Sequence, residues 1–383
     1  MSGAFLELQR RRVRESIVAE GAHPVPDERS VDAGQRALRV GAESRARGDC
    51  LVVLLSGGAS AMLALPAEGV TLGDKAAVTR LLLASGLPIA EMNALRKHLS
   101  AIKGGQLAAA AGRSITYAIS DVHAPVEDDP AVIGSGPTVA DGATFADAMR
   151  VLHALPRSGL PMTVRDAVSR RLDRGVRGEI PETPKPGDPR LAVADFVLAG
   201  SRRDAMDAAS TEAARLGYRV VRVDRPTLGE ARDAAQRFIT SAESVASSES
   251  ASVRSVASAF RRKGSARRIC VIASGETTVK VAPESRGLGG RNQEFALAAS
   301  RRLADLGACL LASAGTDGVD GPTNAAGAYA DSTTTERARA MGLDVDAALH
   351  AHDSYSFFQR LGDLIVTGPT GTNVGDLQIL LLT

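Results

Sequence analysis

A chain of 383 residues is longer than one hydrophobic core usually supports, so two domains are expected. Hydrophobic residues at 44% and charged residues at 23% exclude global disorder, and a formal charge of +2 leaves no basic field to attract nucleic acid. The absence of Trp and an aromatic content of 3% exclude a base-stacking platform.

The opening MSGAFLELQRRRVRESIVAE carries Arg10, Arg11, Arg12 and Arg14 and lacks the uninterrupted apolar run of a signal peptide. No apolar stretch reaches membrane-spanning length. Cys50, Cys270 and Cys309 border apolar runs, are odd in number and show no zinc spacing, so buried free thiols are expected. These features point to a soluble, cytoplasmic protein.

Strand-like and helix-like runs then alternate, as in an α/β fold with mainly parallel sheets. LVVLL (51–55), SITYAIS (114–120), FVLAG (196–200) and YRVVRV (218–223) read as strands. LGDKAAVTRLLLASG (72–86) and TVRDAVSRRLDRG (163–175) have helical spacing and end in glycine, and GEARDAAQRF (229–238) is helical too. The serine-rich segment 240–268 reads as a linker, partly helical, between a domain at 1–239 and a second at 269–383, with one long solvated helix as the alternative. The second begins ICVIA and continues through ETTVKV, the helical QEFALAASRRLADL (293–306), CLLASA and DLIVTG.

P-loop, complete dinucleotide and HExxH motifs are missing. What remains is a set of loops after strands, dense in Gly, Ser, Thr and Asp. Ser56-Gly57-Gly58-Ala59 follows the first strand, and a long loop from Asp121 ends in Gly134-Ser135-Gly136-Pro137-Thr138. The second half contributes SGETT (274–278), GGRNQE (289–294), GTDGVDGPTNAAGA (315–328) and TGPTGTNVGD (367–376). Glycine lets backbone amides approach phosphate oxygens, and a helix start behind them favours anions. Carboxylates among the loops suit Mg²⁺. Taken singly, the glycines make ordinary turns, the aspartates make caps, and Arg96, Lys97 and Lys103 form a solvated helical face. Their joint occurrence in both halves fits phosphoryl transfer.

At these residues the chain resembles the class II glycerate kinase, or MOFRL, family. The matching stretches include AHPVPDERS (22–30), MNALRKHLSAIKGGQLA (92–108), ISDV with DDPAVIGSGPT, GGRNQEFALAA (289–299) and DSYSFFQRLGDLIVTGPTGTNVGDLQILL (353–381). The resemblance implies a larger Rossmann-like domain, a smaller MOFRL-type domain and an active site in the cleft between them. It implies transfer of the ATP γ-phosphate to the 2-hydroxyl of D-glycerate with Mg²⁺. Family members also carry a Gly-Ala-Gly-Lys type turn, and nothing like it precedes AHPVPDE here. Ala273, Arg202, Asn324 and Gly375 replace the usual family residues.

On this reading Arg291, Glu276 and Asp317 are the catalytic candidates, with Arg291 gripping phosphoryl oxygens through its guanidinium fork. Glu276, Asp317 and Asp320 are the metal candidates. Ser56, Gly57, Gly58, Ala59, Ser135, Gly136, Thr138 and Asn292 would hold ATP. Arg96, Lys103 and Asp121 would hold the substrate. Partners are small molecules, without nucleic acid or membrane, and a homodimer stays open. Two rival readings remain: an oxidoreductase acting on hydroxypyruvate, and a non-catalytic binder of small acids or nucleotides.

Overall fold

A computed structural model of the chain describes residues 21–256, 268–281 and 286–382, except the side chains of 245–256. These residues divide into two compact units at the Ala199–Gly200 junction.

The first unit runs α1 (Glu28–Arg47), β1 (Leu51–Leu55), α2 (Ala59–Met62), α3 (Leu72–Ala84), α4 (Ile89–His98), α5 (Gln106–Ala111), β2 (Ser114–Ile119), α6 (Phe145–Ala154), α7 (Met162–Val176) and β3 (Ala194–Gly200). Three of its helices start where short polar side chains satisfy the first amides. Asp27 and Ser30 form a capping box on α1, Thr71 and Asp74 one on α3, and Thr144 and Asp147 one on α6. Gly48, at φ 72°, stops α1 in a conformation that glycine adopts without strain. The sheet has the order β1-β2-β3, with β1 and β2 parallel and Leu55 opposite Ala118. Leu82, Leu95, Phe145, Leu152 and Leu172 join α3, α4, α6 and α7 in the main core of this unit. A smaller cluster of Leu55, Ala118 and Ile133 seats the ends of β1 and β2.

The second unit runs α8 (Arg202–Arg215), β4 (Arg219–Glu230), α9 (Ala231–Val256), β5 (Ile269–Thr278), α10 (Arg291–Leu303), β6 (Cys309–Gly315), β7 (Gly327–Asp331), α11 (Thr334–Ala340), α12 (Val345–Ala351), α13 (Ser354–Leu361), β8 (Leu364–Ile365) and β9 (Asp376–Leu382). Its sheet has the order β4-β5-β9-β6-β7-β8. Ile269, Val271 and Ala273 pack with Phe238 of α9 and Phe295 of α10, while Cys270 and Ile272 face Met206 and Ala213 of α8. With both faces covered, β5 has to be apolar at every position, which explains the unbroken ICVIA.

The α/β class matches the sequence reading, and three details differ. Parallel pairing joins β1 to β2 and β4 to β5, but β9 is antiparallel to both β5 and β6. It starts at Asp376, opposite Gly275 and Gly315 near the far ends of those strands, and so runs back between them. The second unit begins at Gly200 rather than after residue 239, because β4 pairs with β5 and α9 packs on α10. The serine-rich stretch continues α9 as far as Val256, and the remainder of the expected linker, 257–267, lies outside the described residues. Finally, Cys270 and Cys309 are buried, their thiols pushed up to about 11 by desolvation, whereas Cys50 is exposed because it precedes the ladder that starts at Leu51.

Candidate functional site

Each unit gathers its own set of polar residues at strand ends. In the first, β1 runs straight into Ser56-Gly57-Gly58, and α2 starts at Ala59. A Cβ on Gly57 would lie 2.1 Å from Oδ2 of Asp121, so the missing side chain is what lets the Asp121 carboxylate lie against the backbone. Gly58 has φ 80°, the left-handed turn that begins α2. The expected group of Ser56, Gly57, Gly58, Ala59 and Asp121 is therefore built around one close approach.

The neighbouring loop behaves differently from expectation. The amides of Ser135 and Gly136 donate to the carbonyls of Val132 and Ile133. The carbonyls of Ser135, Gly136 and Pro137 accept from Gly104, Gly105 and Leu107 and so anchor the start of α5. The Thr138 hydroxyl is buried and accepts from Thr116 at 2.7 Å. Ser135, Gly136 and Thr138 are thus spent on the scaffold, and the expectation that they present donors to a nucleotide is corrected. Ser135 is held at φ 62° while its hydroxyl donates to Asn93 Oδ1 at 3.1 Å and lies 2.7 Å from the Ser60 hydroxyl.

Arg96 and Lys103 do come together, and Lys75 of α3 joins them around a cavity of about 190 Å³. Lys75 donates to the carbonyls of Arg96 (3.4 Å) and Leu99 (3.1 Å) at the end of α4. Lys103 donates to the carbonyls of Leu63 (3.1 Å) and Gly134 (3.4 Å). Among the described residues none of the three cations has a carboxylate partner. Burial, and then the neighbouring Arg96 and Arg171 charges, push Lys75 down to about 7. Burial followed by Lys75 and Arg96 holds Lys103 well below the usual ammonium range. Lys97 is not part of a solvated face; it is buried against Asp141 at 3.2 Å. Lys75 escaped the sequence reading because LGDKAAVTRLLLASG looks like a helix with one surface charge.

In the second unit β9 begins where β6 ends and beside the last residues of β5, and Asp376 sits at the junction opposite Gly275 and Gly315. Arg291, the first residue of α10, binds the buried Asp376 with two bonds, Nε to Oδ2 at 2.8 Å and Nη2 to Oδ1 at 3.0 Å. Its remaining nitrogen, Nη1, reaches Glu276 Oε1 at 2.7 Å. Burial opposes the Arg291 charge, but Asp376 and then Glu276 overcome this and raise its affinity for the proton above the ordinary value. Asp320 caps α10: its oxygens accept from the amides of Asn292 (3.0 Å) and Gln293 (2.9 Å). Desolvation outweighs those bonds and lifts Asp320 to about 6. The Asn292 side chain is also buried, donating to Asp376 Oδ1 at 2.9 Å and accepting from Ser313 at 2.7 Å.

Several assignments change accordingly. The Arg291 fork faces Asp376 rather than open space for phosphate, since a buried carboxylate needs a paired cation. Glu294 of the same helix bonds Arg232 at 2.6 Å. Asn292 has no side-chain donor to spare for a nucleotide. Glu276, Asp317 and Asp320 do not converge as one ligand set: among the described residues no group of three acidic, histidine or cysteine side chains is placed to hold a metal ion. Asp320 is committed to two amides, Glu276 to Arg291, and Asp317 Oδ1 accepts from Val319 N at 3.0 Å. Asp317 stays half-exposed and its second oxygen has no partner among the described bonds. Asp376 was missed, although its signal is present: an aspartate directly ahead of the apolar run LQILLL marks the mouth of a strand.

Two family models match the chain, a domain of unknown function (DUF4147) over residues 6–172 and the MOFRL family over 269–376. A glycerate 2-kinase from Pyrococcus horikoshii is 40% identical over 96% of this chain and 78% of its own length. A protein from Agrobacterium vitis with the provisional name of hydroxypyruvate reductase is 39% identical over 95% of this chain and 88% of its own. The crystal structure of a glycerate kinase from Thermotoga maritima superposes with a TM-score of 0.77 at 35% identity, covering 96% of this chain and 82% of that one.

Proposed function

Because the chain belongs to the glycerate kinase family that carries a MOFRL domain, we propose that it phosphorylates the 2-hydroxyl of D-glycerate with ATP, giving 2-phosphoglycerate. The observation that carries this is the 40% identity to a glycerate 2-kinase, sustained over 96% of the chain rather than over one shared domain. In the reaction the O2 oxygen attacks the γ-phosphorus, the bond to the β,γ-bridging oxygen breaks, and ADP leaves. The hydroxyl proton passes to a carboxylate. Asp317 is the group suited to accept it, being half-exposed and oriented by the Val319 amide. Arg291 keeps Asp376 and Glu276 in place at the convergence of the strands.

In the first unit we assign the turn Ser56 to Ala59 to the nucleotide, because its two glycines carry no side chains and the Asp121 carboxylate lies beside it against Gly57. Mg²⁺ enters as part of the MgATP substrate, held chiefly by the phosphates, in keeping with the lack of a carboxylate cage among the described residues. Three free cysteines and the use of ATP suit a cytoplasmic setting, and among the described residues no helix is long and apolar enough to cross a membrane.

The purified chain, given D-glycerate and MgATP, should release ADP and form 2-phosphoglycerate, identified by phosphorus NMR. Oxidation of NADH or NADPH dependent on hydroxypyruvate, with no ADP formed from glycerate, would overturn this reading in favour of the reductase.

A further inference from the structure

The cavity bounded by Lys75, Arg96 and Lys103 has cationic walls contributed by α3, α4 and the segment after α4. Both lysines are tethered by pairs of carbonyls, which leaves each ammonium one N–H of its three. The Arg96 guanidinium makes no hydrogen bond among the described residues, so its planar fork is fully available. Ser60 and Thr79 add hydroxyls to the wall, and His23 adds an imidazole. Buried charges in folded proteins are normally paired, and here three cations share a space without an acid. Burial answers this in part by holding both lysines below the usual ammonium range, and an anionic ligand would complete it by pairing all three groups. About 190 Å³ is too small for a nucleotide, whose pockets run to several hundred Å³, and it accommodates a three-carbon acid.

We propose that this cavity seats the carboxylate of the phosphate acceptor, with Lys75 as a specificity residue that selects an ionised hydroxy acid over a neutral polyol. The assignment rests on the glycerate kinase reading above. It gives Arg96 the bidentate contact and gives Lys75 and Lys103 one charged bond each. The binding is coupled to protonation. With the cavity free, Lys75 sits near neutrality at about 7, disfavoured by burial, Arg96 and Arg171, with Lys103 and His23 also facing it. An incoming carboxylate offsets those charges and restores the ordinary ammonium range, so binding above pH 7 draws in a proton.

The test is calorimetric titration of D-glycerate into the chain without nucleotide, at pH 8, in two buffers of different ionisation heat. Net proton uptake is expected for the wild-type chain and should be smaller in Lys75→Met, which keeps only the part due to Lys103. In turnover assays Lys75→Met should raise KM for glycerate about tenfold or more, as for loss of one charged hydrogen bond, with kcat changed far less. Glycerol, which lacks the carboxylate, should bind neither chain. Arg96→Gln should show the same KM effect and guards against a folding defect peculiar to the lysine variant. If the wild-type chain turns over glycerate while both variants keep its KM and proton uptake, the proposal is overturned and the kinase reading survives. Proton uptake driven by inorganic phosphate but not by glycerate would overturn it as well. Lys75-dependent glycerate binding without ADP formation would support the site and remove the kinase reading instead.

Discussion

Arg291 and Asp376 form a two-pronged ion pair at the point where β9 begins beside the ends of β5 and β6, with the carboxylate wholly buried and the guanidinium half-buried. The pair joins the first residue of α10 to the first residue of β9, far apart in sequence. Removing one partner of a buried pair strands the other charge, at a cost of about 3–5 kcal/mol. Arg291→Lys and Asp376→Asn should each lower unfolding stability in urea by more than about 1 kcal/mol. Their double variant should lose clearly less than the sum, since contacting residues couple by about 0.5–3 kcal/mol. Turnover of Arg291→Lys should fall with stability, because Glu276 loses its anchor too. A variant of normal stability whose turnover alone drops about 100-fold would instead place the fork on phosphoryl charge.

Gly290 and Gly142 make a matched pair of backbone probes. A Cβ at Gly290 would meet Cγ of Asp320 at 2.3 Å and its carbonyl carbon at 2.5 Å, although φ of −142° suits any residue. Gly290→Ala should therefore push the Asp320 cap off α10 and destabilise the chain by several kcal/mol, within the range known for overpacking or more. A Cβ at Gly142 would meet nothing within 4 Å, so Gly142→Ala should be neutral or stabilise by about 0.4–1 kcal/mol. Thermal melts of both variants decide; equal effects would show that crowding at Asp320 is not the cause.

How much of this was readable beforehand depended on whether a residue's role is local. The glycine turn at Gly57-Gly58 and the run ICVIA announce themselves in their own few residues, through missing side chains and two-sided burial. The class of fold followed from such signals. The state of Arg291 did not, because what decides it is a carboxylate that the chain supplies only at Asp376. Lys75 was hidden for the same reason: a lysine in a helix reads as solvated until α4 is known to end on it. Serine-rich composition left a linker and a long helix both open at 240–256, and burial of Phe238 and Ala242 is what carries the helix onward through weak formers.

The Asp320 carboxyl, raised from 3.8 to about 6 by burial, should leave a signature in the pH dependence of stability. An acid with a raised folded value holds its proton in the folded chain over a range where the unfolded chain has lost it. Its contribution is complete below pH 3.8 and disappears as pH rises through about 6. Unfolding free energy measured from pH 4 to 6 should carry a downward contribution from this group. Asp320→Asn should flatten that slope while losing one of the two capping bonds, so the variant falls furthest below wild type at the acid end. A slope identical in both chains would show that Asp320 does not hold a proton in the fold.

Lys75 gives the opposite dependence, in a different window. Its folded value of about 7 lies below the ordinary 10.5, so the unfolded chain binds the proton more tightly. Below pH 7 both states are charged and the cost of burying the ammonium is fully present. Between pH 7 and 10.5 the folded chain sheds its proton first and stability rises with pH, by about 1.4 kcal/mol for each unit of pH in which only the unfolded chain is protonated. Lys103, displaced in the same direction, adds to the slope. Lys75→Met should raise stability at pH 6 and shrink the rise between pH 7 and 10, leaving the part due to Lys103. Because D-glycerate restores the charge, saturating glycerate should flatten the wild-type slope in the same window and remove a smaller slope, the part due to Lys103, in the variant. Unfolding curves across this range, with and without glycerate, measure both effects, and a wild-type chain whose stability is level from pH 7 to 10 would show that Lys75 keeps an ordinary ammonium in the fold.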